Sequence, residues 1–290
     1  MTDTTFPAPP APPRPPEASA PPPEPQNPAT RAGTRALAIT ISVLGGGALV
    51  VGGIGVGLGT AGATIASGLT EATSQAVSVA GATEVVADVG AGRLDIEFGG
   101  GDEAVLEATG AEGAWTFERR GEKIVVSAPG RALDLFGWHI DPAATLTLPR
   151  SAEGIDLAID LAAGSVSADG EFGAIAYDMG AGDVELEGSA TALDATMAAG
   201  LSTIELDGVR RADFDVSAGA LYGELTGEAP DEMRIEMTAG SFELEVPDVP
   251  YAVDVEREAG GFESNLDERR DAERTIDVLV SAGFVNLIAG

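Results

Sequence analysis

Residues 155–166 read Ile155-Asp156-Leu157-Ala158-Ile159-Asp160-Leu161-Ala162-Ala163-Gly164-Ser165-Val166, an alternation of apolar and polar side chains that runs into an Ala-Gly pair. Eight times in the chain such a pair is followed by a short run of alternating apolar and polar residues, and the glycines of these pairs are Gly92, Gly164, Gly182, Gly200, Gly219, Gly240, Gly260 and Gly283. The last six intervals are 18, 18, 19, 21, 20 and 23 residues. Such a period is typical of repeat architectures in which each unit buries its apolar face against its neighbours.

Alternation with a period of two on both sides of each glycine predicts two short strands per repeat, with the Ala-Gly pair as the corner. The sequence therefore predicts an all-β fold, a parallel β-solenoid with a period of about 18–23 residues, in which each turn of the chain adds one rung. Equivalent strands of successive rungs stack about 4.8 Å apart. An all-β sandwich is the alternative.

Each corner glycine is expected either because a Cβ would clash or because φ is positive there. Three and five residues before the glycine, and two after it, the side chains are mostly apolar and are predicted to point inward. After Gly200 the polar Ser202 takes one of these inward positions. This exception predicts a shifted register and a β-bulge in that rung.

The N-terminal part differs in composition from the repeats. Residues 1–35 are rich in proline and predict a disordered tail, and residues 36–60 are long and apolar enough to span a bilayer as one helix. Arg14, Arg31 and Arg35 precede this span, which places the tail in the cytoplasm and the remainder outside the cell membrane. A cleaved signal peptide is the alternative. Residues 61–82 are then a linker, and the solenoid occupies 83–290, with an irregular section 83–150 and regular repeats in 151–290.

Charge is concentrated in the predicted solenoid. Three of the 16 basic and three of the 47 acidic residues precede residue 71, which leaves 13 basic and 44 acidic residues from residue 71 onward. Binding to nucleic acid or to anionic lipid surfaces is therefore disfavoured. The chain has no cysteine, so it has neither disulfides nor a lipoprotein anchor.

Catalytic motifs are absent from the sequence, and we predict that the protein is not an enzyme. Its one histidine, His139, lies in residues 133–142. A single histidine without cysteines cannot supply the several ligands of the usual zinc sites. The aromatic residues Phe136 and Trp138 beside it predict either a binding loop or an internal plug over the solenoid end. An enzyme acting on polysaccharides through paired acids is the remaining catalytic alternative.

Acidic residues recur at two positions of the repeat, four before the glycine and three after it. In a parallel solenoid these columns become outward ladders whose like charges repel unless the side chains splay apart, bind calcium or magnesium, or meet a cationic partner. Thr196 and Leu279 interrupt the first column. The candidate calcium ligands are five of its acidic members, Asp160, Asp178, Asp215, Glu236 and Glu256, and no other cofactor is predicted.

The last strand, predicted at 284–288, ends close to Gly290, so the final repeat is expected to be the end rung of the solenoid with little to cap it. We therefore predict either a contact of this end with a second copy or a partner, or a last strand that is short enough to be harmless when uncovered. A second route to a homo-oligomer is the glycine-rich predicted membrane helix, in which Gly53 and Gly57 have the small-xxx-small spacing of helix dimers.

Thr145-Leu146-Thr147-Leu148-Pro149-Arg150, followed by residues 155–166 and their recurring corners, resembles the putative-adhesin β-solenoid domains of bacterial envelope proteins, also known as DUF4097. The resemblance covers roughly residues 80–290 and carries no catalytic residues. It implies a membrane-anchored, extracytoplasmic module that binds or scaffolds at the cell envelope, with an unidentified cell-wall or protein ligand. Some members of the family are linked with envelope stress, which implies a sensor of cations or cationic peptides as the alternative.

Overall fold

The computed structural model describes residues 73–109, 115–128 and 142–290. In these ranges the chain forms twenty β-strands and a single 3-10 turn at Arg150–Ala152. They include no helix long and apolar enough to cross a membrane. The predicted tail (1–35), membrane span (36–60) and loop residues Phe136, Trp138 and His139 lie outside the described residues.

The strands follow one another along the chain as β1 (Thr73–Ser78), β2 (Glu84–Val89), β3 (Gly92–Gly99), β4 (Glu103–Thr109), β5 (Thr116–Arg120), β6 (Lys123–Ala128), β7 (Ala143–Pro149), β8 (Ile155–Leu161), β9 (Gly164–Met179), β10 (Gly182–Ser189), β11 (Ala192–Met197), β12 (Leu201–Asp207), β13 (Arg211–Val216), β14 (Ala220–Thr226), β15 (Glu232–Met237), β16 (Ser241–Val246), β17 (Ala252–Arg257), β18 (Gly261–Ser264), β19 (Thr275–Val280) and β20 (Phe284–Ala289).

Strands that precede a corner stack in one parallel sheet, sheet 1, in the order β6, β2, β8, second half of β9, β11, β13, β15, β19, β17. Strands that follow a corner stack in a second parallel sheet, sheet 2, in the order β7, β3, first half of β9, β10, β12, β14, β16, β20, β18. Strand β9 belongs to both sheets. The predicted parallel β-solenoid is confirmed.

The corner glycines stack on one another. Gly200 has a φ of 133°, and a Cβ there would overlap the carbonyl oxygen of Gly182. Gly182 lies in the same way on Gly164, and Gly219 on Gly200. Both expected reasons for glycine apply at these corners, since backbone from the next rung fills the space and the conformation is one that L side chains rarely adopt. At Gly260 and Gly283 only the lack of space applies, because their φ is not positive.

The predicted bulge after Gly200 is wrong. Strand β12 pairs in unbroken register with β10 and with β14, so Ser202 lies opposite the inward Val184 and Leu221. The fully buried Ser202 side chain is hydrogen-bonded to the hydroxyl of Tyr177. A polar residue fits this inward position because the tyrosine hydroxyl needs a partner in the core.

The order of the last two rungs also differs from the prediction. The C-terminal rung, β19 and β20, lies between the β15–β16 rung and the β17–β18 rung, so the end rung comes from residues 252–264. Its inward positions include Arg257 and Ser264, which an end open to solvent tolerates and a buried rung does not. The corresponding residues of the C-terminal rung are the buried apolar Val280 and Leu287.

At the other end, the β6–β7 rung lies outside the β2–β3 rung. Three antiparallel strands continue the sheets beyond it, since β4 pairs with β7, β1 pairs with β4, and β5 pairs with β6. Strand β1 falls within the predicted linker 61–82, so pairing begins earlier than the sequence indicates. Its polar sequence Thr-Ser-Gln-Ala-Val-Ser has little apolar alternation, and pairing with β4 makes it a strand.

Candidate functional site

The unbroken register of sheet 2 aligns carboxylates on its outer face. The position five residues after the corner glycine is acidic in six successive strands of this sheet, and each of these residues is paired with the one on the next strand. The six residues are Glu97, Asp169, Glu187, Glu205, Glu224 and Glu245. We call this column the carboxylate ladder. At about 4.8 Å per strand, its five intervals span about 24 Å.

The sequence analysis missed this ladder because it followed the columns four before and three after the glycine. Counting five residues after each glycine would have found it. Of the predicted calcium ligands, the structure makes Asp160 and Asp178 neighbours, and likewise Asp215 and Glu236. Thr196 separates the two pairs, and Leu279 lies between Glu236 and Glu256.

Three of the ion pairs of the described residues lie on sheet 1. Lys123 lies 2.6 Å from Glu84, Arg211 lies 3.0 Å from Glu232, and Arg234 lies 3.3 Å from Glu236. In contrast, the described strands of sheet 2 contain one basic residue, Arg93, whose Nε donates to Ser165 Oγ at 3.2 Å. Within the described ranges, no carboxylate of the ladder has a basic partner.

Repulsion between stacked acids is visible in the pKa values of sheet 1. Partial burial raises the pKa of Asp160, and the carboxylates of Asp88 and Asp178 on the adjacent strands raise it further. Burial also raises the pKa of Asp194, although Arg211 acts in the opposite direction. These outward acids therefore carry their charge at a cost in the folded state.

Exposed apolar side chains share the outer face of sheet 2 with the ladder. Among the described residues, the large hydrophobic side chains that are exposed are Leu201, Tyr222 and Phe284, at 39%, 46% and 40%. Leu201 and Phe284 directly follow a corner glycine, and Tyr222 is in the next outward column. We call this surface, with the ladder and these three side chains, the ladder face. They lie on β12, β14 and β20, so Leu201 and Tyr222 are on adjacent strands and Phe284 is two strands further along the sheet.

A shallow groove of about 200 Å³ crosses the ladder face beside Tyr222. Its wall includes the acidic residues Glu205, Glu224, Glu243 and Glu245. An aromatic ring attracts a cation over its face, and carboxylates form charge-assisted hydrogen bonds with ammonium and guanidinium groups. The groove therefore suits the end of a lysine or arginine side chain.

Metal-binding geometry is a separate question. Across residues 73–109, 115–128 and 142–290, no three His, Asp or Glu side chains are grouped closely enough to hold a metal ion. The predicted calcium site stays a prediction.

Comparisons with known proteins give structural similarities alone. No family model matches the chain, and no curated protein matches it in sequence. A "putative cell adhesion protein" from Clostridium sporogenes is 13% identical, with 76% of this chain and 100% of that chain covered and a TM-score of 0.35. A "putative adhesin" from Bacteroides fragilis is 11% identical, with 75% and 97% covered and a TM-score of 0.40.

A further "putative adhesin", from Parabacteroides merdae, is 11% identical, with 75% of this chain and 96% of that chain covered and a TM-score of 0.43. These sequence identities and TM-scores are too low to transfer a function to this chain. The resemblance to the DUF4097 domains likewise stays a prediction.

Proposed function

We propose that this protein is a membrane-anchored, extracytoplasmic binding module without catalytic activity, and that its ladder face contacts a cationic partner at the cell envelope in the manner of an adhesin. One observation carries the proposal. The carboxylate ladder and the exposed Leu201, Tyr222 and Phe284 lie on the same face of the solenoid.

The charge distribution supports a cationic partner. Six carboxylates at strand spacing repel one another, and the described strands beneath them supply only Arg93 as a counter-charge. A basic partner would relieve this repulsion and cover the apolar side chains at the same time. An anionic surface would add to it.

The proposed location outside the cell membrane is supported by the predicted span 36–60 and by the arginines before it. Since the chain contains no cysteine, single cysteines test this topology directly. We expect a membrane-impermeant maleimide to label Glu228→Cys on intact cells and to label Thr5→Cys only after lysis. Labelling of Thr5→Cys alone on intact cells would reverse the topology.

Binding is tested with heptalysine and the full-length chain at low ionic strength. The variant Glu187→Gln/Glu205→Gln/Glu224→Gln removes three ladder charges, and Asp88→Asn/Asp178→Asn/Asp215→Asn removes three from sheet 1. We expect about tenfold weaker binding for the ladder variant and about twofold or less for the control. Equal weakening would mean that net charge alone attracts the peptide and would refute the ladder face as the site.

Calcium bridging is the competing explanation for stacked carboxylates. It predicts that millimolar calcium raises the melting temperature at low ionic strength, and that the sheet 1 variant, which removes the predicted ligands Asp178 and Asp215, loses this shift. A cationic partner instead predicts that heptalysine gives the ladder-dependent shift and that calcium does not.

The sensing alternative uses the same face but requires a cytoplasmic partner for the Pro-rich tail. A run such as Pro7–Pro16 can dock in grooves that recognise polyproline II helices. Crosslinking in cells distinguishes the two roles. Recovery of a specific cytoplasmic protein through the tail supports sensing, and recovery of outer-face neighbours alone supports adhesion.

A further inference from the structure

The end rung leaves two strand edges open. Strands β17 and β18 pair with β19 and β20 on one side. On the other side, no strand of the described chain pairs with them. Free backbone groups on a strand edge are a template for another extended chain.

The hydrogen bonds of β17 show which of its backbone groups are open. Ala252 N donates to Arg274 O at 2.8 Å and Glu258 N donates to Val280 O at 3.0 Å, so the even-numbered residues face β19. Successive residues of a strand point their N–H and C=O groups to opposite sides. The N–H and C=O groups of Val253, Val255 and Arg257 therefore face the open side.

The chain itself begins a strand at this edge. Tyr251 N donates to Asp267 O at 3.0 Å, and Arg269 N donates to Tyr251 O at 2.8 Å. The pair Tyr251 and Glu268 forms a parallel bridge. After Arg269 the chain turns, with Ala272 N donating to Arg269 O at 3.1 Å, and the pairing stops. An added strand would continue this pairing in the same parallel direction.

The core is also open at this rung. Val253, Val255 and Phe262 occupy inward positions but are only half-buried, whereas Ile276, Val278 and Val285 in the adjacent rung are buried. A strand laid along β17 would cover the two valines.

A second copy of this chain fits the edge poorly. A two-fold symmetric pair would join β17 to its copy in antiparallel fashion. Registers that keep the valines inward bring Asp254 and Glu256 against the same acids of the copy, and like charges directly opposite are destabilising. The charges that disfavour a copy favour a basic strand.

We propose that the open edge of β17 receives an extended basic segment of another protein by parallel β-addition. Lysine or arginine at alternate positions lies on the outer side beside Asp254 and Glu256, and apolar residues between them cover Val253 and Val255. Backbone hydrogen bonds with Val253, Val255 and Arg257 hold the segment. This edge is separate from the ladder face, so the two proposals fail independently.

The test uses the full-length chain and the peptide acetyl-Lys-Val-Lys-Val-Lys-amide. In a parallel pair, the residues flanking each bridged position make the hydrogen bonds, so the peptide's lysine amides face β17. An analogue N-methylated at the central lysine keeps every charge and loses a central donor. We expect the parent peptide to slow hydrogen exchange in residues 252–258. We expect the analogue to bind at least about tenfold more weakly.

Charge variants locate the interaction. Asp254→Asn/Glu256→Gln should weaken the slowing of hydrogen exchange in residues 252–258 by the parent peptide. Asp88→Asn/Asp178→Asn, in earlier rungs of sheet 1, should leave that slowing unchanged. Equal binding of the N-methylated analogue would overturn the proposal, because attraction would then be electrostatic only. Exchange in 252–258 that slows with rising protein concentration and no peptide would also overturn it, since a second copy would then occupy the edge.

Discussion

The hydroxyl of Tyr177 lies 2.8 Å from Oγ of Ser202, and this hydrogen bond crosses the core from sheet 1 to sheet 2. Both side chains are almost fully buried, at 1% and 0% exposure. Each hydroxyl is thus the partner that the other needs in the absence of water. The pair fixes β9 and β12, two non-adjacent strands in the sequence, to each other.

Ser202→Ala should lower the free energy of unfolding by about 1–3 kcal/mol, because the Tyr177 hydroxyl would remain buried without a partner. Urea denaturation measures the change. Ser167→Ala, at an outward position of sheet 2, should change stability by about 0.5 kcal/mol or less. The double variant Tyr177→Phe/Ser202→Ala should recover part of the loss, and a double variant with additive losses would contradict this account.

Alkaline pH should destabilise the fold through the same tyrosine. Burial raises the pKa of Tyr177 from 10.0 to about 12, with the Ser202 hydrogen bond acting in the opposite direction. Since the folded pKa is the higher one, the stabilisation is present below pH 10 and is lost as pH rises from about 10 to 12, by up to about 3 kcal/mol. Urea denaturation between pH 9 and 11 measures this slope.

Tyr177→Phe should flatten that slope but not abolish it, because burial also raises the pKa of Tyr251 to about 12. An unchanged slope in the variant would show that Tyr177 ionises without unfolding.

Asp160→Asn should stabilise the protein at pH 7 by about 0.2–1 kcal/mol, because it removes like-charge repulsion from Asp88 and Asp178. The pKa of Asp160 is raised in the folded state, so the unfavourable charge disappears as pH falls through that value. The gain should therefore shrink towards pH 4. Thermal melts at pH 7 and pH 4 test both statements.

Thr196→Asp is the opposite change in the same column. It would place a third carboxylate between Asp178 and Asp215 on the adjacent strands. The added repulsion should lower the stability at pH 7 by about 0.2–1 kcal/mol. The loss should diminish with added salt. A salt-independent loss would point to packing instead of charge.

Gly200→Ala should cost more than about 2 kcal/mol, because its Cβ would overlap Gly182 O and its φ of 133° is strained for alanine. Gly100→Ala is the matched control, since nothing lies within 4 Å of a Cβ there. We expect the control to stay within about 0.5 kcal/mol of the parent chain in urea denaturation. Similar losses in both variants would disprove the stacked-corner explanation.

The rung order makes a prediction for two equivalent valines. Val278 in β19 is 3% exposed, whereas Val255 in β17 lies beside it in the end rung and is half-buried. Val278→Ala should cost about 2 kcal/mol and Val255→Ala less than about 1 kcal/mol. If the final repeat formed the end of the solenoid, the two costs would be reversed.

Much of the fold could be predicted because a solenoid repeats one local pattern. The alternation of apolar and polar residues is enough to identify the inward positions around Gly164, Gly182 and Gly240. The order of the rungs could not be predicted in this way, because a repeat period shows which segments are alike but not which segments are in contact. Arg257 and Ser264 at inward positions were the available signal that their rung is the last.

The candidate site was only partly predictable for a related reason. Outward acids at Asp160 and Asp178 were identified from the repeat, but the longest column, from Glu97 to Glu245, needed one further position to be counted. The exposure of Tyr222 and Phe284 depends on which strands have neighbours and which outward side chains are large enough to cover them. Those are properties of the packed sheets and not of any single repeat.

The stack of corner glycines also decides where the chain tolerates insertion. Every strand of sheet 1 that enters an Ala-Gly corner ends three residues before the glycine, as Met179 does before Gly182. The return from sheet 2 to sheet 1 instead varies in length, from no residue within β9 to five after Thr226 and ten after Ser264. An extra residue at a corner would push its glycine out of the column. A foreign epitope grafted between Thr226 and Glu232 would leave every corner in place, so the return side is where such a protein can diversify or be engineered.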